Sequence, residues 1–368
     1  MLDIPFLRLD RQFNDLKDEI IPEIVNVLKS GNVLQGPNTL KLEDRISKLF
    51  KKKYCVLVNS GTDALSFSLS SLNLKAGSRI AVTSMSFIAS ASVILQNNLV
   101  PVFVDVCPDT MLMDNSKLLK LIEERKIDAI ISVHLYGQIH PLESLSEIVK
   151  KYKIPIIEDA AQALGAKRFD CNPGQFGKVT CLSFDPTKVI GAYGSGGAIV
   201  TDSNEISKHI KMLRYHGNYD GINKITGFNS QMSEIQATII NKKLDQLDNW
   251  QDKRSKIADI FINELQSEKD ISFFEVLEGN IHNYHKFVIK CEERDKLAKY
   301  LHQNGIQTKI HYKTPLHKHN QFYSYLNDSI KLTKVEELSQ KIISLPIYPE
   351  LKEKEVVKIV KKIKYFYS

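Results

Sequence analysis

Between about Lys53 and Asp202 the chain alternates short apolar, β-branched runs with longer stretches whose apolar residues recur at helical spacing. This is the pattern of parallel strands joined by crossover helices. Seven strands are predicted, near Tyr54–Val58, Ile80–Ser84, Pro101–Val106, Ala129–Val133, Ile156–Asp159, Thr180–Phe184 and Ala198–Thr201. The run Ala129-Ile130-Ile131-Ser132-Val133 is almost continuously apolar, as a strand covered on both faces must be. From Ser233 to about Leu265 the spacing predicts one long amphipathic helix, with Ile235, Ile239, Leu244, Leu247 and Ile257 on its apolar face. Beyond it, strands near Tyr284–Ile289 and Gln307–His311 and helices near Glu293–Asn304 and Thr333–Ser344 predict a smaller α+β unit. The N-terminal stretch reads as mostly helical, broken at Gly31 and Gly36-Pro37, and no internal repeat is visible. The implied division is a large α/β domain over residues 1–245 and a small α+β domain over 246–368, the N-terminal segment being free to pack on the latter.

Composition narrows the class. With 368 residues, 43% hydrophobic and 25% charged, and only 17 Gly and 12 Pro, the chain is globular and large enough for more than one core. Lys and Arg number 50 against 43 acids, a net +7. These charges are interleaved or in short runs such as Lys51-Lys52-Lys53, as on solvated helix faces, so neither nucleic acid nor a membrane is expected as a partner. The N-terminal Met1 to Arg8 lacks the apolar core of a signal peptide, and no apolar run reaches about 18 residues. Five scattered cysteines form no C-x-x-C pair, so no disulfide framework and no metal site are expected, and a cytoplasmic location fits.

Three stretches carry chemistry. The first predicted strand runs into Asn59-Ser60-Gly61-Thr62-Asp63-Ala64-Leu65, where small polar residues open a helix. Free amides and the positive end of the helix dipole favour a phosphate there, although the stretch alone also reads as an ordinary cap. The fifth strand ends in Glu158-Asp159, followed by Ala160-Ala161-Gln162. Carboxylates at a strand's C-terminal end face the crevice of an α/β sheet, and Asp159 is the better candidate, since Glu158 points to the opposite side. Capping of the next helix is the alternative. The third stretch, Ser183-Phe184-Asp185-Pro186-Thr187-Lys188, delivers one lysine into the glycine-rich loop Gly191 to Gly197. The glycines fit neither GxxxxGK[ST] nor GxGxxG. A phosphate cradle, a strand-end acid and a loop lysine, in that order, suit pyridoxal phosphate (PLP), which needs a lysine for a Schiff base and an acid at its ring nitrogen.

At these residues the sequence resembles the sugar aminotransferase family called DegT/DnrJ/EryC1/StrS. The resemblance spans nearly the whole chain. It is carried by Ile4-Pro5-Phe6, Ser60 to Leu65, Val133-His134-Leu135-Tyr136-Gly137, Glu158 to Gln162, Ser183 to Lys188, Gly227-Phe228-Asn229-Ser230-Gln231-Met232-Ser233-Glu234, and His311-Tyr312-Lys313-Thr314-Pro315-Leu316-His317. It implies a PLP-dependent transferase of the type I fold, with a mainly parallel seven-stranded sheet. It implies Lys188 as the lysine that bonds the cofactor and shuttles protons, Asp159 at the pyridine nitrogen, Gln162 near the ring hydroxyl and Phe87 stacked on the ring. Gly61, Thr62 and Ser183 would hold the phosphate, joined by Asn229 from the neighbouring subunit of a homodimer with shared active sites. Asp185, His311, Tyr312 and His317 would border the substrate. Two positions depart from the family pattern: Asp185 stands where His or Tyr is usual, and Gln231 where Arg is common.

The implied reaction moves an amino group from L-glutamate to a nucleotide-linked keto-deoxysugar, making an amino sugar for surface polysaccharide or a glycosylated product. The loop Gly191-Ala192-Tyr193-Gly194 resembles that of members that aminate C3, which favours a dTDP-linked 3-keto-6-deoxyhexose over a C4-keto sugar. A sugar dehydratase of the same fold would carry His in place of Lys188, and a non-catalytic regulatory protein is the remaining rival.

Overall fold

Strands and helices alternate as the apolar pattern requires. In the computed structural model, which describes residues 3–326 and 332–368, the chain enters through α1 (Leu9–Ser30) and α2 (Pro37–Leu49). It continues as β1 (Tyr54–Val58), α3 (Gly61–Ser71), β2 (Arg79–Thr83), α4 (Ala89–Gln96), β3 (Val100–Val104), α5 (Asn115–Glu123), β4 (Ala129–Val133), α6 (Ser146–Tyr152) and β5 (Ile156–Asp159). Then come β6 (Val179–Ser183), β7 (Gly197–Thr201) and α7 (Asn204–Arg214). The seven strands form one sheet in the order β1-β7-β6-β5-β4-β2-β3. All neighbours are parallel except β7, which runs antiparallel to both β1 and β6. No helix lies between β6 and β7, and a parallel return needs a crossover, so the chain comes straight back.

Both faces of the sheet are covered. Val56 and Val58 belong to one buried cluster with Val82 and Val133, while Cys55 and Leu57 belong to another with Leu182 and Val200. This alternation is why the strands carry little polar sequence. The N-terminal helices are fastened to the later chain by Glu234, whose carboxylate accepts the amides of Gly36 (3.0 Å), Asn38 (2.8 Å) and Thr39 (2.7 Å) at the start of α2. A carboxylate there satisfies amides that the helix itself leaves free.

The expected long helix is two helices, α8 (Glu234–Leu244) and α9 (Leu247–Leu265), broken at Asp245-Gln246. The reason is packing. Ala237, Ile239 and Ile240 serve the core beneath the large sheet, whereas Ile257, Phe261 and Leu265 serve the core of the C-terminal unit, and one straight apolar stripe does not meet both. The C-terminal unit contains β8 (Ile271–Phe273), β9 (Phe287–Cys291), α10 (Arg294–Gln303), α11 (Thr333–Lys341), β10 (Ile342–Leu345) and α12 (Glu353–Tyr367), with an antiparallel sheet ordered β8-β9-β10. The segment Gln307–His311 is not a strand: it makes only an isolated bridge from Lys309 to Ser344. The helix read through Ser344 stops at Lys341, because Ile342 to Leu345 bury as a strand beside β9. Ile4 is buried in the core of this unit, and its backbone pairs with Gly305 and Gln307 (both 2.9 Å).

Candidate active site

The C-terminal ends of β1, β5 and β6 open on a cavity of about 480 Å³ lined by Gly61, Thr62, Phe87, Asp159, Gln162, Ser183, Asp185, Lys188, His311 and Tyr312. Its floor is made where α3 begins. Ser60 caps the helix, its Oγ accepting the Asp63 amide (3.0 Å) and its carbonyl the Ala64 amide (3.0 Å), which leaves the amides of Gly61 and Thr62 for a ligand. Gly61 is required by close approach: a Cβ there would lie 2.7 Å from Ser183 Cβ and 2.9 Å from its Oγ. Two amides, a hydroxyl and a helix dipole in one corner form an anion cradle.

Asp159 is 3% exposed at the end of β5. Its Oδ2 accepts from Ser90 Oγ (2.8 Å) and its Oδ1 from the Ala161 amide (3.1 Å), which fixes the carboxylate at the cavity wall. Glu158, one residue earlier, faces the other way. Its carboxylate accepts from the amides of Gly174 (2.6 Å), Phe176 (2.9 Å) and Gly177 (2.6 Å) and from His134 Nε2 (3.0 Å). Burial alone would raise its pKa, but these bonds hold it below the usual carboxylate range. The period of the strand thus separates a site acid from a structural one.

Lys188 reaches the cavity from the loop after β6. Burial pulls its amine below the usual lysine range, partly opposed by Asp159 and Asp185, and an amine so placed is a better nucleophile and base at neutral pH. Gln162 is oriented by two bonds, accepting the Tyr136 amide (2.9 Å) and donating to the Tyr312 hydroxyl (3.4 Å). The ring of Phe87, 51% exposed, stands 6.2 Å from that of Tyr312. Burial, with Asp159 adding to it, raises the Tyr312 phenol, while burial beside Lys286 and Lys309 lowers the His311 imidazole to about 3. The Tyr136 hydroxyl donates to the His311 carbonyl.

A cradle for phosphate, an acid fixed across the pocket and a desolvated lysine match the needs of PLP. The model of the DegT/DnrJ/EryC1/StrS aminotransferase family matches residues 14–364. The chain belongs to that family. It is a PLP-dependent aminotransferase. Its fold superposes on Streptomyces venezuelae DesV with a TM-score of 0.95, at 30% identity, covering 100% of this chain and 99% of that one. Among curated relatives, a "pleiotropic regulatory protein" of Geobacillus stearothermophilus is 34% identical, covering 100% of this chain and 99% of its own. The dTDP-3-amino-3,6-dideoxy-alpha-D-galactopyranose transaminase of Aneurinibacillus thermoaerophilus is also 34% identical, over 98% of both. Other relatives carry names spanning dTDP sugars, UDP sugars and 3-oxo-glucose-6-phosphate.

The aminotransferase holds His317 away from the pocket, and Asn229, expected to serve a neighbouring subunit, lies outside its own chain's pocket. His317 is buried outside it, with Nε2 on Glu336 (3.0 Å) and its ring 6.2 Å from that of Phe103, so packing rather than the cleft places it. Asn229 is exposed on the strip that follows α7, bridged to Tyr215, while its neighbour Ser230 donates to Asp63 Oδ2 (2.7 Å). Gln231 accepts from the Gln35 side-chain amide. Sequence reading missed Ser90, Tyr136, Lys286 and Lys309. Ser90 recurs four residues after Ser86, but Ser84 and Ser92 are polar as well and the local pattern singles out none of them; Tyr136 lies in the run Val133 to Gly137 at the end of β4, and Lys286 and Lys309 come from distant parts of the chain. Among the described residues no group of side chains forms a metal site, and no helix is long and apolar enough to cross a membrane.

Proposed function

We propose that this chain transfers the amino group of L-glutamate to a nucleotide-linked keto-deoxysugar, with a dTDP-linked 3-keto-6-deoxyhexose as the acceptor. The observation that carries the reading is the convergence of Lys188, Asp159 and the Gly61–Thr62–Ser183 cradle on one cavity. The names of the relatives support a sugar acceptor, and several specify the 3-position. PLP, when bound, supplies an electron sink for the carbanion formed at the substrate.

The remaining work falls to the chain itself. The Gly61 and Thr62 amides and the Ser183 hydroxyl would hold the phosphate, Phe87 would cover the ring face, and Gln162 would meet the ring hydroxyl. Asp159, acceptor of two fixed bonds, would keep the ring nitrogen protonated by favouring its charged form. The Lys188 amine would accept the proton of the substrate α-carbon, a task suited to an amine that burial holds below the usual lysine range. Asp185, His311 and Tyr312 border the acceptor. Asn229 of the partner subunit completes the cradle in a homodimer, in keeping with its exposure on the free chain.

The test is spectroscopic and chemical. With PLP the protein develops the visible band of the lysine-bound cofactor, glutamate bleaches it, and a panel of dTDP-, UDP- and GDP-linked 3-keto and 4-keto sugars restores it with formation of one amino sugar identified by mass and NMR. Lys188→Ala abolishes turnover. A Lys188→Ala protein with wild-type activity, or a wild-type band indifferent to glutamate, would sink the reading.

A further inference from the structure

Lys286 opens the apolar run of β9. Its backbone amide donates to the Tyr136 carbonyl (3.2 Å), which sets the strand edge against the cavity, and its side chain, 9% exposed, lines that cavity. Buried lysines are ordinarily paired. Among the described residues none pairs with this ammonium. The charges that bear on it are Lys188, Arg254 and Lys309, all cationic, and Asp185, which is exposed. The guanidinium of Arg254 donates through Nη1 to the carbonyls of Tyr284 (3.1 Å) and Ile347 (2.9 Å). What the chain does provide is an aromatic face: the Lys286 and Lys309 ammonium groups lie 5.5 and 5.3 Å from the centroid of the buried Phe6 ring. A cation–π contact compensates only a fraction of the lost hydration. The buried Lys286 and the exposed Lys309 on one ring, beside neutral His311, therefore leave a positive corner that the exposed Asp185 opposes only in part.

We propose that Lys286, flanked by Lys309, is an anion subsite for the substrate, taking a carboxylate or phosphate carried at the end remote from the carbon that exchanges its amino group. The corner is separate from the phosphate cradle, which is built from the ends of β1 and β6, whereas Lys286 comes from the C-terminal unit and Phe6 from the N-terminal segment. Calling the ligand a substrate rests on the aminotransfer reading above; the existence of the subsite does not. Two sources share the chemistry, the distal carboxylate of the amino donor and an acidic group on the acceptor.

The experiment uses the PLP-loaded protein, so that the cradle is filled, titrated by calorimetry with glutarate and, separately, with inorganic phosphate. Lys286→Met weakens at least one of the two by about tenfold to a hundredfold, the worth of one charge-assisted hydrogen bond, and Lys286→Arg keeps it within a few-fold. The thermal midpoint of cofactor-free Lys286→Met equals or exceeds that of wild type, since an unpaired buried cation has been removed; a merely structural lysine would lower it. The half-reactions name the source. A raised KM for glutamate with an intact acceptor step assigns the donor carboxylate, and the reverse assigns an acidic acceptor. Equal affinities of wild type and Lys286→Met for both probes, or loss of binding together with a lowered midpoint, would overturn the subsite. A wild-type protein unresponsive to glutamate would instead refute aminotransfer and leave the titrations standing.

Discussion

Glu158 and Asp159 are adjacent acids with opposite duties, and exchanging each for its amide separates them. In Glu158→Gln the oxygen that accepts the Phe176 and Gly177 amides (2.9 and 2.6 Å) is preserved, but the new NH2 meets the Gly174 amide and His134 Nε2, both of which donate to that position in the native protein. His134 cannot relieve the clash by changing tautomer, because its Nδ1 accepts the His140 amide (3.1 Å). Two buried donors, the Gly174 amide and the His134 Nε2–H, are left unsatisfied and the two remaining bonds lose their charge assistance, together about 3 kcal/mol or more. The sign with pH follows from the depressed folded pKa. The contribution is complete above the unfolded carboxylate value and is lost as pH falls through the folded one, so the variant lacks that part of the acid transition. Urea unfolding of the cofactor-free proteins measures the loss, and PLP titration measures the site. Glu158→Gln lowers stability while PLP still binds and reacts; Asp159→Asn leaves stability within about 1 kcal/mol and cuts amino transfer by orders of magnitude. A Glu158→Gln protein of native stability with a dead cofactor would refute the assignment of faces.

Two further outcomes follow from geometry. His140 is buried, its Nδ1 bonded to Ser132 Oγ (2.8 Å) and its Nε2 to the Met113 carbonyl (3.0 Å), and burial, aided by His134, lowers its pKa from 6.5 to about 4. As pH falls through that window the unfolded chain takes a proton that the folded chain refuses, so stability drops by roughly 3 kcal/mol; His140→Asn flattens the slope of unfolding free energy against pH, and an unchanged slope would contradict the buried neutral imidazole. Gly61→Ala forces a methyl to within 2.7 Å of Ser183 Cβ, an overpacking cost of about 1–3 kcal/mol that moves the cradle; PLP affinity measured by titration falls about tenfold or more, and undiminished affinity would show that phosphate sits elsewhere.

Much of this protein is written in short-range pattern. The seven strands of the large sheet lie within a residue or two of their apolar runs, because a strand covered on both faces has little freedom in sequence. Ser60, Gly61, Asp159, Ser183 and Lys188 were legible because each sits at the end of a strand, where the local chemistry of a cap, an acid or a loop lysine stands out against apolar neighbours. The period of two also separated Glu158 from Asp159 before any contact was known. Only the tertiary structure decided the reversal of β7, the break at Asp245-Gln246, the conversion of Ile342–Leu345 to a strand and the removal of His317 from the pocket. It also decided that Lys286, unremarkable between His285 and Phe287, would be buried beside Phe6 with no ion-pair partner among the described residues. The division has a physical cause. Periodicity and capping are set by neighbours a few residues away, whereas burial, charge pairing and strand direction depend on which distant segments arrive at the same place.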